Sequence, residues 1–163
     1  YVPDTENSQS GVTIACGFDI GQRSENELLE GFSAALVAKL VPYVGLKKYD
    51  AQEKLSEIPL QVSEQESAEI HRYCKSDATK KLERLWNNST ATISFELLSV
   101  ECQTVVASVA FQYGDLSLRT PNFWQQVTTE NWQAALANLQ NFGDKYPTRR
   151  NKEADLLAQW LGI

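Results

Sequence analysis

The chain has 163 residues, 15 of them basic and 21 acidic, for a net charge of −6. That length supports one ordinary domain with a real core, and 42% hydrophobic against 22% charged residues excludes a disordered or fibrous chain. The acidic balance argues against a nucleic-acid partner, which wants a basic face, and no apolar run approaches the roughly 18 residues of a membrane span.

Residues 1–11, with Pro3, Asp4, Asn7, Ser8, Ser10 and Gly11, read as a loop. They hold no charged segment followed by an apolar run, so they do not read as a signal peptide. The chain contains no Met, and it reads as a piece of something longer or as a processed product. Val12, Thr13 and Ile14 favour an extended strand. Gly17 just beyond them suggests a bulge or tight bend. A short hairpin with Thr13 and Asp19 near its bend is a place for chemistry. The two lie an even six residues apart, but a bend makes strand parity unreliable. The residues alone leave open whether they converge or are a strand threonine and a turn aspartate.

Ser24 followed three residues later by Glu27 is a capping box, and it starts a helix carrying Leu28, Leu29, Phe32, Leu36, Val37 and Leu40. Breaks are expected at Gly31 and before Pro42. A further helical segment is expected around Tyr49–Leu55. Ser63 and Glu66 form a second capping box, and the helix after it is expected to reach about Trp86. The apolar stretch from Phe95 to Tyr113 reads as a central buried helix that Gly114 closes. Thr120 and Pro121 suit Ncap and N1 of a short helix with Phe123, Trp124 and Val127. Thr129 is expected to open another, and Thr148 to cap a last helix with Ala154, Leu157, Trp160 and Leu161. The sum is one small N-terminal β hairpin and six or seven helices, without repeats or linkers.

Three cysteines, Cys16, Cys74 and Cys102, stand far apart with no C-x-x-C pair, which leaves a zinc site or redox dithiol unsupported. They read as buried thiols. The single histidine, His71, excludes a site needing two His ligands from this chain. A Cys–His nucleophile would have to use it, yet it lies in a charged helical stretch with no flanking motif.

The string Gly11-Val12-Thr13-Ile14-Ala15-Cys16-Gly17-Phe18-Asp19-Ile20-Gly21-Gln22 resembles the active-site hairpin of the pesticin-type, phage-lysozyme-like muramidases. The C-terminal half extends the likeness. Val105 to Gly114 resembles the end of the central helix of phage lysozymes. Phe123-Trp124-Gln125-Gln126-Val127, Asn131 to Ala135 and Tyr146 to Ala154 follow in the order of that fold's C-terminal lobe. The resemblance implies a mostly α, lysozyme-like fold with a small N-terminal β hairpin lobe and a C-terminal helical lobe. It implies a single domain over 1–163. It also implies a muramidase that cleaves the β-1,4 bond between N-acetylmuramic acid and N-acetylglucosamine without metal or cofactor. The branch is the one found in bacterial toxins and on type VI secretion effectors, with a phage endolysin as a close variant. Further implications are an immunity protein in the producer, a monomer, and secretion or delivery into the target-cell periplasm. The net acidity runs against the simplest expectation for an enzyme of anionic peptidoglycan, although basic residues do cluster at Lys145, Arg149, Arg150 and Lys152.

In this family a catalytic Glu sits near the end of a first helix, upstream of the loop that leads to the hairpin. No such helix precedes Thr13 here, so the domain is expected to lack it, or an acid of the 1–11 loop takes over. Asp4 and Glu6 are the acids available. Glycoside hydrolysis needs a proton donor on the leaving oxygen and a second group for the other face of the sugar. By resemblance Asp19 is the second carboxylate, and Thr13 holds water or that carboxylate. Glu6 is the substitute donor and Asp4 a cleft acid. Gln112 and Tyr113 are cleft-lining residues, and Arg149 and Arg150 take peptide or lactyl carboxylates of the substrate or are salt-bridged at a helix N-terminus. The four tryptophans sit at helical apolar positions and read as core. The alternative is a lysozyme-fold module that binds peptidoglycan or a partner protein without cutting. An amidase is disfavoured by one His and no ligand cluster.

Overall fold

The computed structural model describes residues 1–163 and is mostly helical with one small antiparallel hairpin. Strands β1 (Thr13–Ile14) and β2 (Phe18–Asp19) come first. They are followed by α1 (Glu25–Gly31), α2 (Ala34–Leu40), α3 (Lys48–Glu57) and the long α4 (Glu64–Asn87). Then come α5 (Val100–Tyr113), α6 (Leu116–Arg119), α7 (Pro121–Thr128), α8 (Trp132–Gln140) and α9 (Pro147–Leu161). Single 3-10 turns sit at Ile20–Gln22, Val41–Tyr43 and Phe95–Leu97. No helix is long and apolar enough to cross a membrane.

Both capping boxes form. Glu27 N–H donates to Ser24 Oγ while Ser24 N–H donates to the Glu27 carboxylate, and Ser63 and Glu66 make the same reciprocal pair. Each satisfies two backbone donors that a helix start otherwise leaves open. The chain divides into two compact units, Tyr1–Ser76 and Asp77–Ile163, with the boundary inside α4. In the first unit Val12, Phe18 and Ile20 of the hairpin region are buried with Leu28, Leu36, Leu40, Tyr43 and Ile70. Phe18 meets the Phe32 and Tyr73 rings edge-on. The hairpin is too short to be stable alone, and its fixed shape comes from this core beneath it. In the second unit Trp86, Phe95, Val105, Val109, Phe123, Trp132, Leu139 and Leu157 form the centre of another core.

Nine α-helices replace the six or seven expected. The first expected helix is two, α1 and α2, divided by a break at Phe32 and Ser33, immediately after Gly31, where the sequence suggests one. An unforeseen short helix, α6, starts where the Asp115 carboxylate accepts from Ser117 and Leu118 N–H. Two caps differ from expectation. Helix α8 is capped by Asn131, whose Oδ1 accepts from Ala134 N–H, not by Thr129. Thr129 instead turns its hydroxyl back onto the Gln125 carbonyl. Helix α9 begins at Pro147, one residue before Thr148, because proline's fixed φ and missing N–H suit the first helical position. Trp86 and Trp132 are core residues, whereas Trp160 is 40% exposed and meets Trp132 edge-on. Cys102 is buried as expected, but Cys16, at the hairpin tip, and Cys74, in α4, are only half-buried.

Candidate functional site

The hairpin resolves the question of strand parity. Thr13 and Asp19 are direct cross-strand partners, as are Ile14 and Phe18. Directly opposed residues share a face, with Cβ atoms about 5 Å apart. The bend achieves this with Ala15 (φ 48°) and Gly17 (φ 94°) in left-handed conformations. Backbone bonds from Gly17 N–H to Ile14 C=O and from Ile20 N–H to Val12 C=O bracket the pair.

The Asp19 carboxylate is fixed by the backbone around it. Its Oδ1 accepts from Gly11 N–H and from Gly21 N–H, both at 3.0 Å. The second of these closes the turn that starts the 3-10 segment after β2. Two donors on one oxygen orient the group and leave Oδ2 as its open acceptor. Gly11 and Gly21 can both reach Oδ1 because neither has a side chain. A Cβ on Gly11 would lie 2.6 Å from Gly21 Cα and 2.3 Å from the Leu46 carbonyl oxygen. A Cβ on Gly21 would lie 2.7 Å from Gly11 Cα and 2.3 Å from the same carbonyl. Opposite Asp19, the Thr13 side chain is 5% exposed, and its Oγ1 donates to the Gly11 carbonyl at 3.3 Å. With its hydrogen so used, Oγ1 keeps lone pairs to offer a donor.

The two acids of the 1–11 loop differ. Asp4 Oδ1 accepts from the Asn7 backbone and side-chain N–H groups at 3.0 and 3.2 Å, closing a surface turn. Glu6 is exposed, and only its backbone carbonyl is engaged, by Lys48 Nζ.

The remaining candidates belong to the second unit. Gln112 and Arg149 are joined, with Arg149 Nη1 donating to Gln112 Oε1 at 3.0 Å. Tyr113 is committed elsewhere. Its hydroxyl donates to Asp144 Oδ2 at 2.7 Å. Asp144 pairs with Arg150 Nε at 3.3 Å, and Arg150 Nη1 pairs with Glu153 Oε2 at 2.7 Å. Ser108 Oγ completes the chain by donating to Glu153 Oε1. Arg150 is 2% exposed and lies 4.9 Å from the centre of the Phe142 ring. Burial pushes the Glu153 carboxyl above its ordinary pKa, against the Ser108 bond and the Arg150 charge, which lower it. The sequence offered Arg150 as a carboxylate contact beside Arg149 or as a salt-bridged residue at a helix start; the structure gives it the second role, and nothing in the sequence pointed to Asp144, Ser108 or Glu153.

Two expectations follow from this network. Arg150→Met keeps an unbranched apolar stem but removes the guanidinium, which leaves two nearly buried carboxylates without their cation. It costs about 3 kcal/mol of stability, read by urea denaturation; an unchanged midpoint would show that the network contributes nothing. The second concerns pH. Burial and the Asp144 carboxylate push the Tyr113 hydroxyl up to about 12 from its ordinary 10. The folded state therefore keeps a proton that the unfolded state releases. The stability it contributes is complete below about pH 10 and is lost as pH rises toward about 12. Tyr113→Phe flattens that alkaline fall in Tm, and an identical fall in both proteins would contradict the assignment.

Comparison with known proteins bears on residues 1–133. Over that span the chain matches the model of the Pesticin family, described as a bacterial toxin homologue of phage lysozyme, C-terminal part. The match takes in the hairpin with Thr13 and Asp19, the loop acids, and Gln112 with Tyr113, while Arg149 lies beyond it. Among curated proteins none matches the chain.

Proposed function

This chain belongs to the Pesticin family of bacterial toxins homologous to phage lysozyme, and from that premise we propose that it is a muramidase. It hydrolyses the β-1,4 bond from N-acetylmuramic acid to N-acetylglucosamine in peptidoglycan. The observation that carries the reading is the Thr13–Asp19 pair, held face to face with the Asp19 carboxylate pinned between two glycine amides.

Asp19 Oδ2 accepts one hydrogen of a water molecule, and Thr13 Oγ1, whose own hydrogen is taken by Gly11, accepts the other. Held so, the water presents a lone pair to the anomeric carbon, and Asp19 takes its proton as the new C–O bond forms. Orientation by fixed acceptors lowers the entropic part of the barrier before the reaction begins. The leaving oxygen needs a carboxylic acid. Within this chain Glu6 is the candidate, since Asp4 is spent on its own turn. Gln112 and Arg149 act together as a polar contact for the substrate's carboxylates. In this reading the domain acts as an antibacterial toxin, secreted or delivered into the target-cell periplasm, and an immunity protein guards the producer.

The exposure of Glu6 favours a second reading, in which the fold binds peptidoglycan without cutting it, because a proton donor works best in an apolar niche. Purified peptidoglycan separates the two. A muramidase releases soluble fragments and creates new reducing ends without new free amino groups. New amino groups alone would mean amide cleavage. Pelleting with the polymer and no new ends of either kind would mean binding alone.

A further inference from the structure

The second unit has a pocket of about 610 Å³ beside the start of α9. Val105 and Leu156 contribute apolar surface to its lining, and Thr104 and Ser108 of α5 contribute hydroxyls. Lys145, Arg149 and Lys152 line it as well, and all three are exposed. None of the three pairs with an acid. The bond Arg149 makes goes to the neutral amide of Gln112, which fixes the guanidinium beside the pocket without neutralising it. Across the whole chain acids exceed bases, 21 to 15, so three cations without an ion-pair partner around one pocket run against the average charge, even though the Arg149 charge also acts on the Glu153 carboxylate. Like charges repel, and an arrangement of this kind is relieved by a bound anion. The one acid in the lining, Glu153, is 5% exposed and has its charge met by Arg150 and Ser108. The first turn of α9 adds one donor: Pro147 has no N–H, Arg149 and Arg150 N–H donate to the Tyr146 carbonyl, and Thr148 N–H is left without a side-chain cap.

We propose that this pocket binds a carboxylate or phosphate group of a cell-wall polymer through Lys145, Arg149 and Lys152. The inference deepens the contact given above to Gln112 and Arg149 and rests on that reading for its stem-peptide source, while a polymer can be held here whether or not its glycan is cut. The two sources with this chemistry are the free carboxylate of a stem peptide and the phosphodiester of an anionic polymer strung through the wall. Arg149 suits either, because its planar fork donates two parallel hydrogen bonds, while the lysines supply point charge.

The test is amide NMR of the folded chain in low-salt buffer, titrated separately with acetyl-D-alanyl-D-alanine and with inorganic phosphate. Saturable shifts at Thr148, Arg149 and Lys152 are expected with at least one probe. Peptide alone identifies the stem-peptide class, phosphate alone the phosphodiester class, and both a shared oxyanion site. Lys152→Glu weakens the binding about tenfold. Lys80→Glu makes the same charge change at an exposed position of α4 outside this lining and leaves binding within about twofold. Both positions are exposed, so both variants fold. No saturable shift with either probe, or an equal loss in both variants, would overturn the proposal. Neither readout depends on hydrolysis, so this proposal and the muramidase reading fail independently.

Discussion

Asp19→Asn removes about 10²–10⁴-fold of the hydrolytic rate while Tm stays within a few degrees of the parent. The separation of the two effects follows from the hydrogen bonds. The amide oxygen of Asn can accept the same two N–H groups, from Gly11 and Gly21, that Asp19 Oδ1 accepts now. What goes is the negative charge and the open acceptor on the other oxygen, which becomes an NH₂ donor. A water molecule held there can no longer surrender a proton to it. Asp19→Ala differs in kind: it strips both amides of their acceptor, so stability falls along with activity. Dye release from labelled peptidoglycan and thermal melts of the same preparations report the two quantities. Full activity in Asp19→Asn would remove Asp19 from the chemistry. A collapse of Tm in Asp19→Asn would recast it as a structural turn residue.

Gly21→Ala is expected to rank with Gly11→Ala among the most damaging single-methyl changes in the first unit, costing about 5 kcal/mol or more. An added Cβ meets the Leu46 carbonyl oxygen at 2.3 Å and the Gly11 backbone at 2.7 Å. Those neighbours are main-chain atoms, so no rotamer change can relieve the overlap. The 3-10 turn after β2 must move, and the Asp19 carboxylate then loses a donor that sets its orientation. Urea denaturation measures the loss, and Gly45→Ala supplies a contrast. Gly45 has open space around it and a φ of 73°, so the substitution there carries backbone strain without collision. A Gly21→Ala protein as stable as Gly45→Ala would show that the close approach of Gly11 and Gly21 does not constrain the fold.

The legible parts of the sequence are those in which local chemistry decides structure. Ser24/Glu27 and Ser63/Glu66 announce helix starts because a short hydroxyl and a glutamate three residues on satisfy each other's amides. The β-branched run before Gly17 gives the hairpin, and its resemblance to pesticin-type proteins gives the family. The spacing of Thr13 and Asp19 leaves their pairing open, because a bend can add or remove a residue of register. The turn through Ala15 and Gly17 settles it. The role of the two glycines is half visible: Asp19 with Gly21 two residues on is a pattern for an aspartate turn. Gly11 joins the same carboxylate from the segment just before β1, and the Leu46 carbonyl closes on both from a distant loop, which only the folded chain reveals. The network of Ser108, Tyr113, Asp144, Arg150 and Glu153 was invisible for the same reason. Its members span 45 residues, and each alone looks like an ordinary helix or turn residue.

The most direct measurement is mass spectrometry of the soluble products from purified peptidoglycan after borohydride reduction. Reduction marks the sugar at each new end. The hydrolysis assigned to Thr13 and Asp19 yields disaccharide-peptides that end in muramitol and are absent from the Asp19→Asn digest. Fragments ending in glucosaminitol, or muramitol products undiminished in Asp19→Asn, would contradict the account.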